Sequence, residues 1–407
     1  MYSECPRRIQ GLCRAIHRQP RNPILKPVKP DVNRIFLKSG GKSRTRALDT
    51  PLISMSYNPM AIESRLTGIL SDAAREAGVD LFGATSAESL PASGSYVHAQ
   101  PGDLLPGARS VAIAGYCTLY EPRVLPSEPG KPRGRFTSYG SRVFEQMESH
   151  CMNVLSRVIR GKGYSAADAP TIPMKPAVVR SGLGKYGKHS VVVTPSFGSM
   201  VMFACVATDA PLDASEADMR ETECPEKCTL CIDACPTAAI AEPYTVDKAR
   251  CMTEWLWGSY APPELRAHQG DRLFGCAECL FACPKNRGVA RRASYPVAMD
   301  AVDDSPELIP LLTGDLAYYR SVIPTFPMRA GIDAIRGNAI IALGNIGDPA
   351  AVEGLGATLG HKKARLRAYS AWALARIGTR KARALVEEAR KGETDPMAAS
   401  EMEAALG

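Results

Sequence analysis

No window of this chain approaches the roughly eighteen consecutive apolar residues needed for a helix that crosses a bilayer. No G-x-G-x-x-G follows a strand-like run, no Walker loop is present and C-x-x-C-H does not occur, so no nicotinamide, nucleotide or covalent-haem site is announced. Thirteen cysteines in 407 residues are too few for a disulfide scaffold. Eight of them crowd into residues 224–283, which points to metal binding in a reducing, cytoplasmic compartment. What remains is an ordinary globular composition, 45% hydrophobic and 23% charged, in a chain long enough for two or three domains.

The charge is unevenly placed. The net charge is +8, yet residues 1–54 alone hold twelve Lys and Arg against three acids, with Pro6, Pro20, Pro23, Pro27, Pro30 and Pro51 scattered among them. That composition reads as a disordered basic extension, or as a start placed too early with Met55 or Met60 as the real beginning. NRIFLK, residues 33–38, lacks the second arginine and the apolar run of a twin-arginine signal, which argues against export.

From Met60 the pattern is that of a packed α+β domain, residues 55–213. Ile62, Leu66, Ile69, Leu70 and Ala73 recur at helical spacing and Gly78 supplies a stop. VDLFGA (79–84) and SVAIAGY (110–116) read as buried strands. Val143, Met147, Val154, Leu155 and Val158 mark a second amphipathic helix. SVVVT (190–194) and MVMFACVAT (200–208), joined by PSFGS, predict a hairpin. A cysteine-rich domain at 214–292 and a linker at 293–328 come next. In residues 329–407, ALGNIGDPAAVEGL aligns with ALARIGTRKARALV at a period near 32 residues, the mark of α-helical, HEAT-like repeats that must dock on the preceding domain.

The thiol spacing is Cys224-x3-Cys228-x2-Cys231-x3-Cys235-Pro, then Cys251, then Cys276-x2-Cys279-x3-Cys283-Pro. In bacterial ferredoxins the first three thiolates of such a run grip one cubane, while the fourth, before its proline, ligates the other. Applied here, Cys224, Cys228, Cys231 and Cys283 hold one 4Fe-4S cluster, and Cys235, Cys251, Cys276 and Cys279 hold the second. Two structural zinc sites are the competing reading. Zinc knuckles pair C-x2-4-C units, however, whereas both runs here end in C-x3-C-P beside Ile232, Leu280 and Phe281, which favours iron and sulfur. Cys117, Cys151 and Cys205 sit in apolar patterns and read as small buried hydrophobes.

SGLGKYGKHSVVVTPSFGS (181–199), RCMTEW (250–255), PPELR (262–266), FGCAECLFACPKNR (274–287) and RGNAIIALGNIGDPAAV (336–352), with the paired cysteine runs, resemble the epoxyqueuosine reductase family over residues 60–390. The resemblance implies an α+β protein with a cobalamin-binding α/β core, a ferredoxin-like two-cluster domain and a repeat tail. It also implies a base-off cobalamin lying between the first two, close to the second cluster. Asp168, fourteen residues before Gly182, falls on the family's catalytic acid beside the cofactor. Corrin contacts fall on Val192, Phe203 and Thr253, and Gly184 and Gly187 let the backbone approach. Three departures stand out. Arg142, Val143 and Phe144 replace an Asp-Tyr-His triplet, Trp255, Leu256 and Trp257 replace Thr-Ile-Glu, and Ala277 replaces an aspartate.

The implied reaction is reduction of epoxyqueuosine to queuosine in tRNA. Electrons pass from a flavodoxin- or ferredoxin-type donor through the clusters to cobalt, and Asp168 acts as general acid. Because of the departures, reduction of a small molecule, as in the reductive dehalogenases, stays open, as does a non-catalytic electron carrier. Residues 329–391 hold twelve Lys and Arg against five acids. Lys362, Lys363, Arg365 and Arg367, with only distant acids in sequence, therefore predict a surface for the anticodon arm of a tRNA, on a monomer with no membrane partner.

Overall fold

The computed structural model describes residues 59–92, 98–119, 124–137, 144–290, 295, 303–322 and 331–407. The basic stretch 1–54, Met55, Arg142 and Val143 lie outside the described residues. The chain divides into the units Met1–Ser56 and Tyr57–Gly407, and every described residue belongs to the second. Its strands are β1 (Leu81–Ser86), β2 (Ser110–Cys117), β3 (Arg135–Phe136), β4 (Ala166–Asp168), β5 (Lys185–Tyr186), β6 (Val192–Val193), β7 (Val201–Thr208) and β8 (Arg272–Phe274). Among its helices are α1 (Pro59–Glu76), α2 (Phe144–Gly161), α3 (Met174–Arg180), α4 (Leu230–Asp233), α5 (Met252–Leu256) and α6 (Glu278–Phe281). Toward the C-terminus lie α7 (Leu316–Val322), α8 (Ile332–Ile346), α9 (Val352–Thr358), α10 (Ala364–Ile377), α11 (Arg380–Gly392) and α12 (Pro396–Leu406).

Leu66, Leu70 and Ala74 repeat every four residues on α1 and bury one stripe, and Gly78 at φ 77° ends the helix in the left-handed region that a side chain resists. The stripe covers a four-stranded sheet in the order β1-β2-β7-β4, with every neighbouring pair antiparallel. The expected α/β core is thus corrected to α+β, since no parallel crossover is present in this sheet. Strand parity divides the side chains. Ala112, Ala114, Tyr116, Ala204 and Val206 face α1 and α2, whereas Val111, Ile113, Val201, Phe203, Cys205 and Ala207 face α3 and the glycine-rich stretch.

The predicted hairpin of 190–194 with 200–208 does not form. β7 is buried on both faces and takes β2 and β4 as its ladder partners, while β6 pairs with β5 through Lys185↔Val193 and Tyr186↔Val192. The PSFGS turn closes on itself by the Thr194↔Gly198 bridge. It is held from outside by Asn286, whose Oδ1 accepts from Ser199 N at 2.7 Å.

In the second half one core runs from Phe136 through Trp255, Leu256 and Leu273 to Met402, uniting the cysteine region with the repeats. Within 293–328, Leu308, Leu311, Leu312 and Tyr319 are part of it. α8 and α10 end alike, on Gly347 at φ 76° and Gly378 at φ 70°, the repeat made visible. They cross so closely that a Cβ on Gly344 would stand 2.8 Å from Ala373 Cα. Asn338, buried on α8, donates to the carbonyls of Leu256 and Leu273 at 2.9 Å each, and its own carbonyl accepts from Gln269, which also takes the Trp255 indole N–H at 3.1 Å. Polar groups that folding hides are thereby satisfied across the two regions.

Candidate metal centre and cofactor cleft

Mutual repulsion sorts the eight thiols. Burial pushes the Cys231 thiol up, and the neighbours that add to the effect are Cys224, Cys283 and Cys228. Cys283 is raised by burial and then by Cys224 and Cys228. Cys279 is pushed up to about 12, by burial first and then by Cys276, Cys251 and Cys235, with Cys231 last. The structure therefore brings together Cys224, Cys228, Cys231 and Cys283 as one set, and Cys235, Cys251, Cys276 and Cys279 as another, with Cys231 and Cys279 where the sets approach. Among the described residues no three His, Cys, Asp or Glu side chains converge as ligands of a single ion. A cubane spaces its thiolates at its corners, farther apart than one zinc would draw them.

Each set is supplied with donors aimed at sulfur. Cys251 opens α5 and takes the N–H groups of Thr253 and Glu254 and the Thr253 hydroxyl. Cys276 takes the Glu278 N–H and Cys283 the Lys285 N–H. For Cys235 burial raises the thiol, but N–H groups from Thr237, Ala239 and Ile240 outweigh it and the net direction is down, with Ala239 N 3.2 Å from the sulfur. Such donors stabilise a thiolate rather than a neutral thiol, and thiolates are what a cluster binds. Cys117, Cys151 and Cys205 are fully buried elsewhere, and burial pushes Cys205 up to about 12.

The glycine-rich stretch forms the β5–β6 hairpin, whose turn closes by Gly187 N to Val191 O at 2.9 Å and Ser190 N to Gly187 O at 2.8 Å. A Cβ on Gly184 would lie 2.6 Å from Val193 O, and one on Gly187 2.6 Å from His189 Cε1, so the hairpin itself demands both glycines. Ser190 is forced to φ 61°. Sequence reasoning passed over the side chains between these glycines and the strand. His189 is buried, and burial followed by Lys175 holds its imidazole down at about 4. Its Nδ1 accepts from Val191 N at 3.1 Å, which puts the proton on Nε2, and Nε2 finds no partner among the described residues. Ser190 Oγ is likewise buried without a partner.

Lys175 donates to Ser190 O at 2.9 Å, and its ammonium is lowered by burial and then by Lys248, against the thiols of Cys251 and Cys279. Its side chain is exposed. Val191 and Cys279 pack against the same small core of Cys117, Met200 and Leu280, so the hairpin turn abuts the second set of thiols.

The remaining candidate residues are more scattered. Val192 and Phe203 are inside the core beneath the sheet, 3% and 8% exposed, and Thr253 is engaged with Cys251. Asp168 ends β4 on the opposite face, where its Oδ1 accepts from Ser156 of α2 at 3.0 Å. Trp255 and Leu256 are buried and Trp257 packs edge-on against Phe274, so the residues replacing Thr-Ile-Glu fill the core. Ala277 holds φ 58°, a conformation that an aspartate tolerates better. Phe144 opens α2.

On the tail, one of the four cations expected to form the surface meets an acid distant in sequence. Arg367 grips Glu393 with Nε and Nη2 at 2.6 and 2.7 Å, and that guanidinium holds the carboxyl down at about 2. Chain return through α11 brings an acid distant in sequence alongside. Arg365 donates to Ser259 O at 3.1 Å, while Lys362 and Lys363 are exposed in the turn before α10.

Residues 223–286 match a family model described as a 4Fe-4S double cluster binding domain, and residues 329–407 match HEAT repeats. The epoxyqueuosine reductase of Bacillus cereus is 30% identical over 319 residues, 74% of this chain and 82% of that protein. A crystal structure of epoxyqueuosine reductase with a tRNA-Tyr epoxyqueuosine-modified stem loop superposes at a TM-score of 0.74 and 25% identity, covering 84% of this chain and 98% of the other. The Bacillus subtilis enzyme, with its catalytic aspartate loop swung out of the active site, matches with the same score, identity and coverage. Among the described residues no helix is long and apolar enough to cross a membrane.

Proposed function

The chain belongs to the epoxyqueuosine reductase family, and we propose that it reduces epoxyqueuosine to queuosine in tRNA with two 4Fe-4S clusters and a cobalamin. The observation that carries this reading is the β5–β6 turn against the second set of thiols. Its His189 Nε2–H and Ser190 Oγ, buried without partners among the described residues, and the exposed Lys175 ammonium on Ser190 O form a group of donors awaiting acceptors. The peripheral amide carbonyls and phosphodiester of a cobalamin are such acceptors, so the residues present fit the cofactor. When bound there, cobalamin supplies the strongly reducing centre that epoxide opening demands.

Conversion of the epoxide to an alkene consumes two electrons and two protons and releases water. Cys224, Cys228, Cys231 and Cys283 would hold the outer cluster, and Cys235, Cys251, Cys276 and Cys279 the cluster beside the hairpin turn. Cys231 and Cys279 would give the electrons a short passage between them. Asp168 is the candidate proton donor to the departing oxygen. To act it must release Ser156 and turn toward the other face of the sheet. Three features favour the movement: β4 is a three-residue edge strand, Pro170 and Pro173 follow it, and a relative has its catalytic aspartate loop in a swung-out state. Lys362 and Lys363 would meet the phosphates of the anticodon arm. A cytoplasmic monomer fed by a flavodoxin- or ferredoxin-type donor completes the reading.

The test is anaerobic incubation of the purified, cobalamin-loaded protein with a low-potential reductant and an epoxyqueuosine-bearing tRNA stem loop. Mass spectrometry should show loss of one oxygen from the base. Asp168→Asn should lower turnover about 10²-fold or more with cobalamin occupancy retained. A loaded protein that leaves the stem loop unaltered belongs with reductases of small molecules, and one that takes up clusters but no cobalamin is a carrier.

A further inference from the structure

Every hydrogen-bonding group of Lys188 is directed at the cysteine region, although the residue belongs to the turn of the β5–β6 hairpin. Its backbone N–H donates to Cys224 Sγ at 3.3 Å. Its carbonyl accepts from Tyr244 N at 2.8 Å. Its ammonium donates to three carbonyls, Pro225 at 3.0 Å, Glu226 at 2.6 Å and Cys228 at 2.9 Å. An ammonium has three protons, and here each has an acceptor on the loop that joins Cys224 to Cys228. The side chain is buried, only 7% exposed.

A buried cation whose acceptors are all neutral carbonyls lacks the counter-charge that normally accompanies it. Among the described residues no carboxylate forms an ion pair with Lys188. The anion within reach is the set of thiolates whose loop it grips. We propose that Lys188 is a positioning residue for the outer cluster: it fixes the Cys224–Cys228 loop and, as a positive charge with an N–H bond to a ligand sulfur, makes that cluster easier to reduce. The sign follows from charge. Reduction makes the cluster more negative, so a nearby cation and a donor on sulfur favour the reduced form. All three carbonyls of the ammonium's shell come from this one run, Cys224-x3-Cys228, which is one residue longer than the x2 interval of ferredoxins.

The inference rests on the proposed partition of the thiols, and the test separates the two. The full chain, purified anaerobically, is titrated with dithionite at controlled potentials while the EPR signal of each cluster is followed, with Cys228→Ser and Cys279→Ser marking which signal is which. If those two variants alter the same signal, the partition fails. With the partition intact, Lys188→Met should lower the reduction equilibrium of the outer cluster at least tenfold, about 59 mV for a one-electron couple, and move the inner one less. Lys188→Arg, which keeps the charge, should remain near the unaltered protein. Equal shifts in both clusters, no shift, or the same shift in Met and Arg variants would overturn the proposal. Should Lys188→Met lose the outer cluster, the unaltered protein decides. Grown on [15N]lysine, its reduced outer cluster should show a 15N coupling through Cys224 sulfur in pulsed EPR, and absence of that coupling refutes the assignment.

Discussion

Replacing Glu401 by Ala removes the counter-ion of a guanidinium that has no exposed surface. Arg266 Nη1 and Nη2 donate to Glu401 Oε2 and Oε1 at 2.5 and 2.6 Å, with side-chain exposures of 0% and 10%. Nε donates to Ala261 O at 3.0 Å, and the guanidinium carbon lies 4.5 Å from the Tyr369 ring centre and 5.5 Å from those of Tyr260 and Trp372. Breaking a buried pair by deleting one partner costs about 3–5 kcal/mol, because a bare charge stays behind. The aromatic faces persist in the variant and soften the loss, so the lower end of that range, about 3 kcal/mol, is expected. At about 2–4 °C per kcal/mol for 150–250 residues, and less for a larger body, the melting temperature should fall by about 6 °C or somewhat less. Tryptophan fluorescence is a suitable reporter, because all three tryptophans, Trp255, Trp257 and Trp372, lie in or against the core that Arg266 crosses. Arg266→Met combined with Glu401→Leu should recover most of the loss, since apolar groups can replace a buried ion pair at little cost. A shift below about 2 °C for Glu401→Ala, or a double variant no better than the single, would refute the reasoning.

Two further outcomes concern the thiols and the tail. Cys235→Ser should damage the same cluster as Cys251→Ser, Cys276→Ser or Cys279→Ser, although Cys235 adjoins the other run in sequence. Spin quantitation on each reduced variant checks this, and damage to the Cys224 set instead would dissolve the partition. Lys362→Gln with Lys363→Gln, in a chain beginning at Met55, should weaken binding of a tRNA anticodon stem loop and flatten the salt dependence by about one to two units of slope. Filter binding over a range of salt measures it, and an unchanged slope removes these lysines from the interface. Arg367 stays unaltered in that variant because its pairing with Glu393 secures the tail.

What could be read in the sequence was what depends on short spacing. Seven of the eight thiols lie in two runs whose intervals carry their own chemistry, with Cys251 alone between them, and the helical stripe of α1 and the matched stops at Gly347 and Gly378 are equally local. The failures share a cause, in that each required knowing what a distant segment brings alongside. β7 prefers β2 and β4 to its neighbour in the chain because a strand buried on both faces needs two ladders. Arg367 meets an acid 26 residues onward only because α11 folds back. The face on which Asp168 lies is a matter of strand parity, and a register shift of one residue would have placed it under α3 instead. Lys188 stands in the glycine-rich stretch, yet its partners begin 36 residues later, and no local pattern marks a lysine whose acceptors are carbonyls.

The core shared by the cysteine region and the repeats governs reach. Helical repeats commonly flex like a spring, each unit tilting a little on the next. Here Asn338 is bolted to the carbonyls of Leu256 and Leu273, and Arg266 to Glu401 near the far end, so the array is clamped at both its first and last helices. A clamped array works as a caliper: whatever rests on Lys362 and Lys363 stands at a set distance from the inner thiols. On the proposed tRNA contact at these lysines, a nucleic acid whose base hangs too near or too far from its phosphates would be rejected by length alone, before any contact with the base is made.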